Sequence, residues 1–132
     1  MITNKIGNNI RMALTINIKR AYDSATEDDG YRILVDKFWP RGIKKNELKA
    51  DCWPKDICPP DSLRHFFHED IENNWERFAC DYESFLLQSE DLKRWIKQWT
   101  DAGHTKITLL YASKHAEKNH ALILKKVMEQ IA

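Results

Sequence analysis

The sequence has no long hydrophobic run and few cysteines, and each shortage excludes a class of protein. None of its apolar stretches approaches the roughly 18–20 residues of a membrane-spanning helix, and no signal-peptide pattern is recognisable, so a cytoplasmic protein with no membrane partner is expected. The cysteines Cys52, Cys58 and Cys80 are odd in number and match no zinc or redox spacing. They predict reduced thiols rather than a disulfide framework.

An excess of charge of either sign is also lacking. The 21 basic and 20 acidic residues give a formal net charge of +1, so any affinity for nucleic acid must come from a local patch. A chain of 132 residues, 42% of them hydrophobic, is long enough for one core and too short for two. We expect a disordered extension at residues 1–13 and a single domain over residues 14–132.

Three short apolar runs predict β-strands at Thr15–Arg20, Tyr31–Phe38 and Lys106–Tyr111. The stretch Ala21–Gly30 holds turn formers and charges that cannot be packed, and it predicts a loop. A longer irregular excursion is expected over Ile43–Pro60, and connections of that length are often functional.

Four helices are predicted from the spacing of apolar residues and from their caps. The first helix begins with Asp61 or Ser62 as its cap and ends at His68, and the second runs from about Ile71 to Gln88. The third helix begins after its cap, Ser89, and ends at Gly103. The last helix is predicted at Asn119–Ile131. Helices between the second and third strands allow these strands to be parallel. The pattern predicts a single-domain α/β fold with three layers, Rossmann-like, in which helices flank a small, mainly parallel sheet.

Polar side chains follow the second strand where it ends. Asp36 needs hydrogen-bond donors if it is partly buried, and Pro40 and Gly42 indicate that the strand has ended. Trp39 is suited to cover apolar surface, and Arg41 presents a forked cation. The alternative interpretation is an ordinary strand end, with Asp36 capping a turn and Arg41 in solvent.

The third strand brings a second set of polar residues to the same edge of a parallel sheet, where open α/β folds bind ligands. This set is Tyr111, Ser113, Lys114, Asn119 and His120. With Arg41 and the positive end of the last helix, it predicts a pocket for a phosphate or carboxylate. His120 can act there as a base or donor, or simply pack against the sheet.

The sequence gives little support to a metal site or to covalent catalysis. His65 and His68 share a helix face, and Glu69 follows them, but no other ligand at a recognised spacing completes a metal site, so no metal or other cofactor is predicted. Ser113 lacks the flanking glycines of a nucleophile elbow, and the cysteines have no evident base. Covalent catalysis is therefore not indicated.

Several elements together resemble the YeaO-like branch of the domain of unknown function 488 (DUF488) family. They are Arg20, Tyr22 and Asp23; Gly30 and Arg32; Leu34 to Asp36 and Trp39 to Gly42; Leu109 to Tyr111; and Asn119 to Ala121. The resemblance spans about Asn17 to Ile131. It implies a single α/β domain, and the family name records no established activity.

The resemblance also implies which residues form the site. These are Arg20, Tyr22, Asp23, Asp36, Trp39, Arg41, Lys44 or Lys45, Trp53, Arg64, Tyr111, Lys114, Asn119 and His120. The chain departs from the family pattern at Lys37, where arginine is usual, and in the order of Ala112 and Ser113, which makes a nucleophilic serine doubtful.

The sequence therefore predicts a cleft at the strand ends that binds a small anionic or nucleotide-like ligand. Asp36, Tyr111 and His120 are the candidates for hydrolytic or transfer chemistry, if the protein is an enzyme. The predicted ligand-binding residues are Arg20, Tyr22, Asp23, Trp39, Arg41, Arg64, Ser113, Lys114 and Asn119.

The alternative function is a non-catalytic nucleic-acid-binding or regulatory module. The residues that would contact nucleic acid are the basic residues Arg41, Lys44, Lys45, Lys49 and Lys55, interleaved with Trp39 and Trp53. A third possibility is that the two tryptophans anchor a partner or a second copy of the chain. The sequence ranks neither this possibility nor an oligomeric state.

Overall fold

The computed structural model describes residues 14–132, and the extension predicted at residues 1–13 lies outside them. Three strands, β1 (Thr15–Arg20), β2 (Tyr31–Leu34) and β3 (Lys106–Tyr111), form one sheet in the order β1-β3-β2. Both outer strands pair with β3 in parallel. The predicted α/β fold is confirmed, and all three strands end at the same edge of the sheet.

Five helices lie within the described residues: α1 (Lys45–Leu48), α2 (Asp61–Glu69), α3 (Ile71–Leu87), α4 (Glu90–Asp101) and α5 (His120–Ile131). Ser89 caps α4 as predicted, by accepting a hydrogen bond from the Leu92 N–H. The predicted cap of α2 is wrong, because Pro60 holds that position and no side chain caps the helix. None of the helices over residues 14–132 has the length and apolarity to cross a membrane.

Alternate side chains of β3 enter two different apolar clusters, as the period of a strand requires. Ile107 and Leu109 pack with α3, α4 and α5, whereas Leu110 packs on the opposite face with Leu34 and Leu48. The excursion at residues 43–60, predicted to be irregular, contains α1, and its residues Ile43, Leu48, Ala50 and Trp53 cover this second face, whereas Ile57 packs in the first cluster.

Strand β2 ends at Leu34, four residues earlier than predicted. The Val35 N–H still donates to the Leu110 carbonyl, but the Asp36 carboxylate then accepts a hydrogen bond from the Ala112 N–H. Beyond Val35, a side-chain hydrogen bond thus takes the place of the backbone hydrogen bonds that pair β2 with β3. The chain bends away from the sheet at this point and carries Asp36 to Phe38 toward the carboxyl edge.

The loop between β1 and β2 is more closely packed than its composition indicated. It contains a 3₁₀ turn, Glu27–Asp29, whose last residue is only 7% exposed. Burial raises the pKa of Asp29, but hydrogen bonds from the backbone and side chain of Thr26, from Lys19 and from Arg32 bring it down to about 2. The prediction that this loop cannot pack is wrong at Asp29, because this charge finds partners within the fold, whereas Asp23, Glu27 and Asp28 are exposed.

Helix α3 is tied to the segment that precedes α2 by a buried hydroxyl. Tyr82 is fully buried, its O–H donates to the Ile57 carbonyl at 2.6 Å, and burial raises its pKa well above 10. Tyr82→Phe should lower the free energy of unfolding by about 1–3 kcal/mol, because the buried carbonyl loses its donor. Urea denaturation measures this loss. Tyr22→Phe, at an exposed hydroxyl, is the control, and equal stabilities of the two variants would contradict the prediction.

Candidate functional site

A cleft of about 450 Å³ opens at the carboxyl edge of the sheet, between the ends of β2 and β3 and the helices α2, α3 and α5. This volume is in the range of small-molecule sites. The cleft is lined by Tyr22, Asp36, Lys37, Phe38, Trp39, Pro40, Arg41, Pro59, Arg64, Phe67, His68, Ile71, Phe78, Ala112, Ser113, Asn119 and His120. This cleft lies at the edge of the sheet where the sequence predicts a site.

Asp36 and His120 meet at the inner end of the cleft. Asp36 Oδ2 accepts from the Ala112 N–H at 3.0 Å, and Oδ1 lies 2.9 Å from His120 Nε2. The same nitrogen is 3.0 Å from the Val35 carbonyl oxygen, toward which its N–H is better directed. Because both neighbours are acceptors, Nε2 carries the proton. This nitrogen is a donor that joins α5 to the end of β2.

Of the three predicted catalytic residues, Asp36 and His120 are brought together, but Tyr111 is not. Tyr111 is only 5% exposed and its side chain packs in the core beneath the sheet edge. Ser113 Oγ accepts a hydrogen bond from the His115 N–H at 3.1 Å and makes none with His120. Within the described part of the chain, no nucleophile and base are therefore aligned for covalent catalysis.

Two predicted ligand-binding residues hold the β3–α5 connection in place. The Arg20 guanidinium donates to the carbonyls of Ala112 and Ser113, both at 3.0 Å. Asn119 is fully buried; it caps α5 and donates to the His115 carbonyl at 2.6 Å. These contacts shape one wall of the cleft, and only Asn119 of the two reaches its surface.

The remaining predicted residues divide into two groups. Tyr22, Trp39, Arg41, Arg64 and Ser113 line the cleft. Asp23 instead lines a separate depression, and the exposed Lys114 borders neither. The structure does not bring these two into the site.

Basic side chains dominate the charge of the cleft. Its lining includes Lys37, Arg41 and Arg64 but only one carboxylate, that of Asp36. No carboxylate of residues 14–132 lies within ion-pair distance of Arg41, whereas Lys37 and Arg64 both contact Asp61. Arg41 is thus a cation on the surface of the cleft that has no partner among the residues described.

The apolar floor of the cleft was not predicted as part of the site. Phe67 and Phe78 stack with ring centroids 4.1 Å apart, and Ile71 lies beside them. Their helical spacing indicated a core position, which is also correct, and nothing in that spacing marks a side chain that faces a cavity as well. His68 lines the same region, and burial followed by the charge of Arg64 lowers its pKa.

No group of three or more histidine, cysteine or acidic side chains in the described range is placed to hold a metal ion. His65 and His68 lie on α2, and only His68 reaches the cleft. The candidate site is thus defined by basic, aromatic and amide groups around one carboxylate.

Sequence comparisons place the chain among known relatives. A family model described as the inactive DUF488-N3 subclade matches residues 15–132. The chain belongs to this family. The resemblance to DUF488 proteins drawn from the sequence is therefore confirmed over nearly all of the residues that the structure describes.

The DUF488 relatives carry no assigned activity in their names. The chain is 42% identical over 112 residues to the uncharacterized protein YeaO of Escherichia coli K12, covering 84% of this chain and 94% of YeaO. It is 32% identical over 113 residues to the uncharacterized protein Rv3073c of Mycobacterium tuberculosis H37Rv, covering 86% and 92% of the two chains. No solved structure gives a significant match.

Proposed function

We propose that this DUF488 protein binds a small ligand that carries an anionic group and an apolar or aromatic body, and that the cleft holds it without covalent chemistry. The observation that supports this most strongly is the combination of three basic side chains, Lys37, Arg41 and Arg64, with an apolar floor in one cleft. A pocket with an apolar lining and a few convergent charges is typical of small-molecule sites.

An anion is favoured over a cation by the balance of charge. Arg41 presents a guanidinium whose fork matches the oxygens of a carboxylate or phosphate. The start of α5 adds the partial positive charge of a helix N-terminus, since Asn119 and His120 both line the cleft. The carboxylate of Asp36 is already engaged with Ala112 and lies beside His120.

Binding without turnover is supported by the arrangement of the polar groups. The His120 Nε2–H faces the Val35 carbonyl and the Asp36 carboxylate, and no serine, cysteine or tyrosine among the described residues is aligned with it as a nucleophile. The buried Cys58 is not such a nucleophile, because burial raises its pKa to about 12. The description of the matching subclade as inactive agrees with this proposal.

The cytoplasm is the location that suits the proposal. Cys52, Cys58 and Cys80 are all free thiols, as expected in a reducing compartment. Free thiols and a pocket for a small anion together favour a protein that binds soluble metabolites or nucleotides.

The structure gives less support to the nucleic-acid alternative. Trp39 and Trp53 pack edge to face at 5.5 Å, and their indole N–H groups donate to the carbonyls of Ile43 and Asp36. They are half-buried in the layer over the second face of the sheet, and Lys55 Nζ lies over the Trp53 ring at 4.1 Å, so the two rings do not form an open platform for base stacking.

A thermal-shift screen tests the proposed function. Purified protein is heated with nucleotides, sugar phosphates, simple anions and short oligonucleotides, and Arg41→Ala is treated in the same way. A ligand at 100 times its dissociation constant should stabilise the wild-type protein by about 2.7 kcal/mol. We expect Arg41→Ala to lose most of this stabilisation, because it removes the unpaired cation.

Arg77→Ala is the matched control, since Arg77 is an exposed guanidinium on α3 that pairs with Asp81 outside the cleft. The proposal predicts that this control responds like the wild type. Stabilisation by oligonucleotides alone, or an equal response of the two arginine variants, would contradict it.

A further inference from the structure

One carboxylate oxygen holds two of the three cations of the cleft. Asp61 Oδ1 contacts Lys37 Nζ and lies 3.2 Å from Arg64 Nη2. Lys37 comes from the segment after β2, and Asp61 and Arg64 lie on the first turn of α2. The contact therefore joins two elements that both contribute a basic side chain to the lining of the cleft.

Arg64 has a further contact and an unsatisfied hydrogen-bond donor beside its pairing with Asp61. The Arg64 guanidinium stacks over the Phe38 ring at 5.1 Å, and its Nε is buried without a hydrogen-bond partner among the described residues. Buried donors are normally satisfied, so an orphan donor in the wall of a cleft favours a ligand that accepts from it. Asp61 itself is 56% exposed, so water can hydrate its carboxylate if a ligand displaces it.

We propose that Lys37 and Arg64 form an anion subsite that Asp61 occupies until a doubly charged group of a ligand, such as a phosphate monoester, displaces it. The inference rests on the proposed function and specifies its ligand class. Asp61 acts as a built-in competitor, so the subsite is available to some anions and closed to others.

Charge decides which anions enter. A carboxylate or a phosphate diester carries one negative charge, as Asp61 does, and gains little by replacing it. A phosphate monoester carries about −1.5 to −2 at neutral pH and offers three strong acceptor oxygens. It can satisfy Lys37, the Arg64 Nη2 and the orphan Nε together, which a single carboxylate oxygen does not.

Three aromatic probes separate these cases: phenyl phosphate, methyl phenyl phosphate and benzoate. Their affinities are measured by isothermal titration calorimetry at pH 7.5 on the wild type, on Asp61→Asn and on the control Asp81→Asn, whose carboxylate pairs with Arg77 outside the cleft. The wild type should prefer phenyl phosphate to the two singly charged probes by about tenfold, within the energy of two exposed ion pairs. Asp61→Asn should bind the singly charged probes about three- to tenfold more tightly and lose most of the preference.

The outcomes distinguish this inference from the proposed function. Binding that shows the same preference in Asp61→Asn and the wild type, and that is lost when Arg41→Ala is titrated in the same way, would overturn the competitor role while leaving the cleft intact. Tighter binding in Asp81→Asn as well would show a general effect of net charge and would also overturn it. Absence of binding by all three probes in every variant would overturn both.

Discussion

Replacing Arg32 with methionine is expected to lower the free energy of unfolding by about 3–5 kcal/mol, the usual cost of removing one member of a buried ion pair. Arg32 is 4% exposed; Nη1 donates to Asp29 at 2.5 Å, and Nε and Nη2 donate to the Leu48 carbonyl at 3.0 and 2.6 Å. One side chain thus joins the β1–β2 loop to α1. Urea denaturation followed by tryptophan fluorescence measures the loss.

Arg77→Met is the control, because Arg77 is 77% exposed and its ion pair contributes little to stability.

The stability of the Arg32 variant should also depend less on acidic pH than that of the wild type. With its pKa at about 2 instead of 3.8, Asp29 stabilises the fold by about 2 kcal/mol above pH ~4, and this is lost as the pH falls through about 2. Without Arg32 this acid-induced loss should be smaller. A loss of stability below about 1 kcal/mol at neutral pH would contradict the structural role.

Gly30→Ala should be destabilising by about 3 kcal/mol or more. Gly30 precedes β2 with φ +66°, and an added Cβ would overlap the Lys106 carbonyl oxygen and come within 3.0 Å of the Lys106 carbonyl carbon and Cβ. The left-handed backbone costs an alanine about 1–2 kcal/mol, and the overlap with a sheet backbone adds about 1–3 kcal/mol.

Gly103→Ala separates these two terms. Gly103 also has a positive φ, +92°, but a Cβ there meets nothing within 4 Å. The control should therefore show only the backbone cost, and the difference between the two melting transitions reports the steric overlap. Equal destabilisation by both substitutions would show that the contact with β3 is not restrictive.

The sequence predicted elements whose signals are local. Apolar spacing placed α3 and α5 to within a residue or two, and the Ser89 cap fixed the start of α4. Signals that depend on tertiary partners were missed. The end of β2 at Leu34 depends on a hydrogen bond from Ala112 to Asp36, residues 76 positions apart.

The candidate site shows the same division. Its position at the carboxyl edge, with Asp36, Trp39, Arg41 and His120, followed from parallel strands. Tyr111 was included because it ends a strand, but strand alternation turns its side chain into the core. The floor residues and the contact of Asp61 with Lys37 could not be foreseen, because they depend on how α2 packs against the end of β2.

The central claim is that the cleft at the carboxyl edge binds an anionic ligand, and an NMR titration tests it most directly. Phenyl phosphate is added to ¹⁵N-labelled protein, and the shifts of the backbone amides and the indole N–H groups are mapped. The account predicts saturable shifts at Lys37, Phe38, Arg41, Ser113 and His120, with little change in α4. Shifts confined to the basic segment at residues 44–55, or no saturable shifts at all, would contradict it.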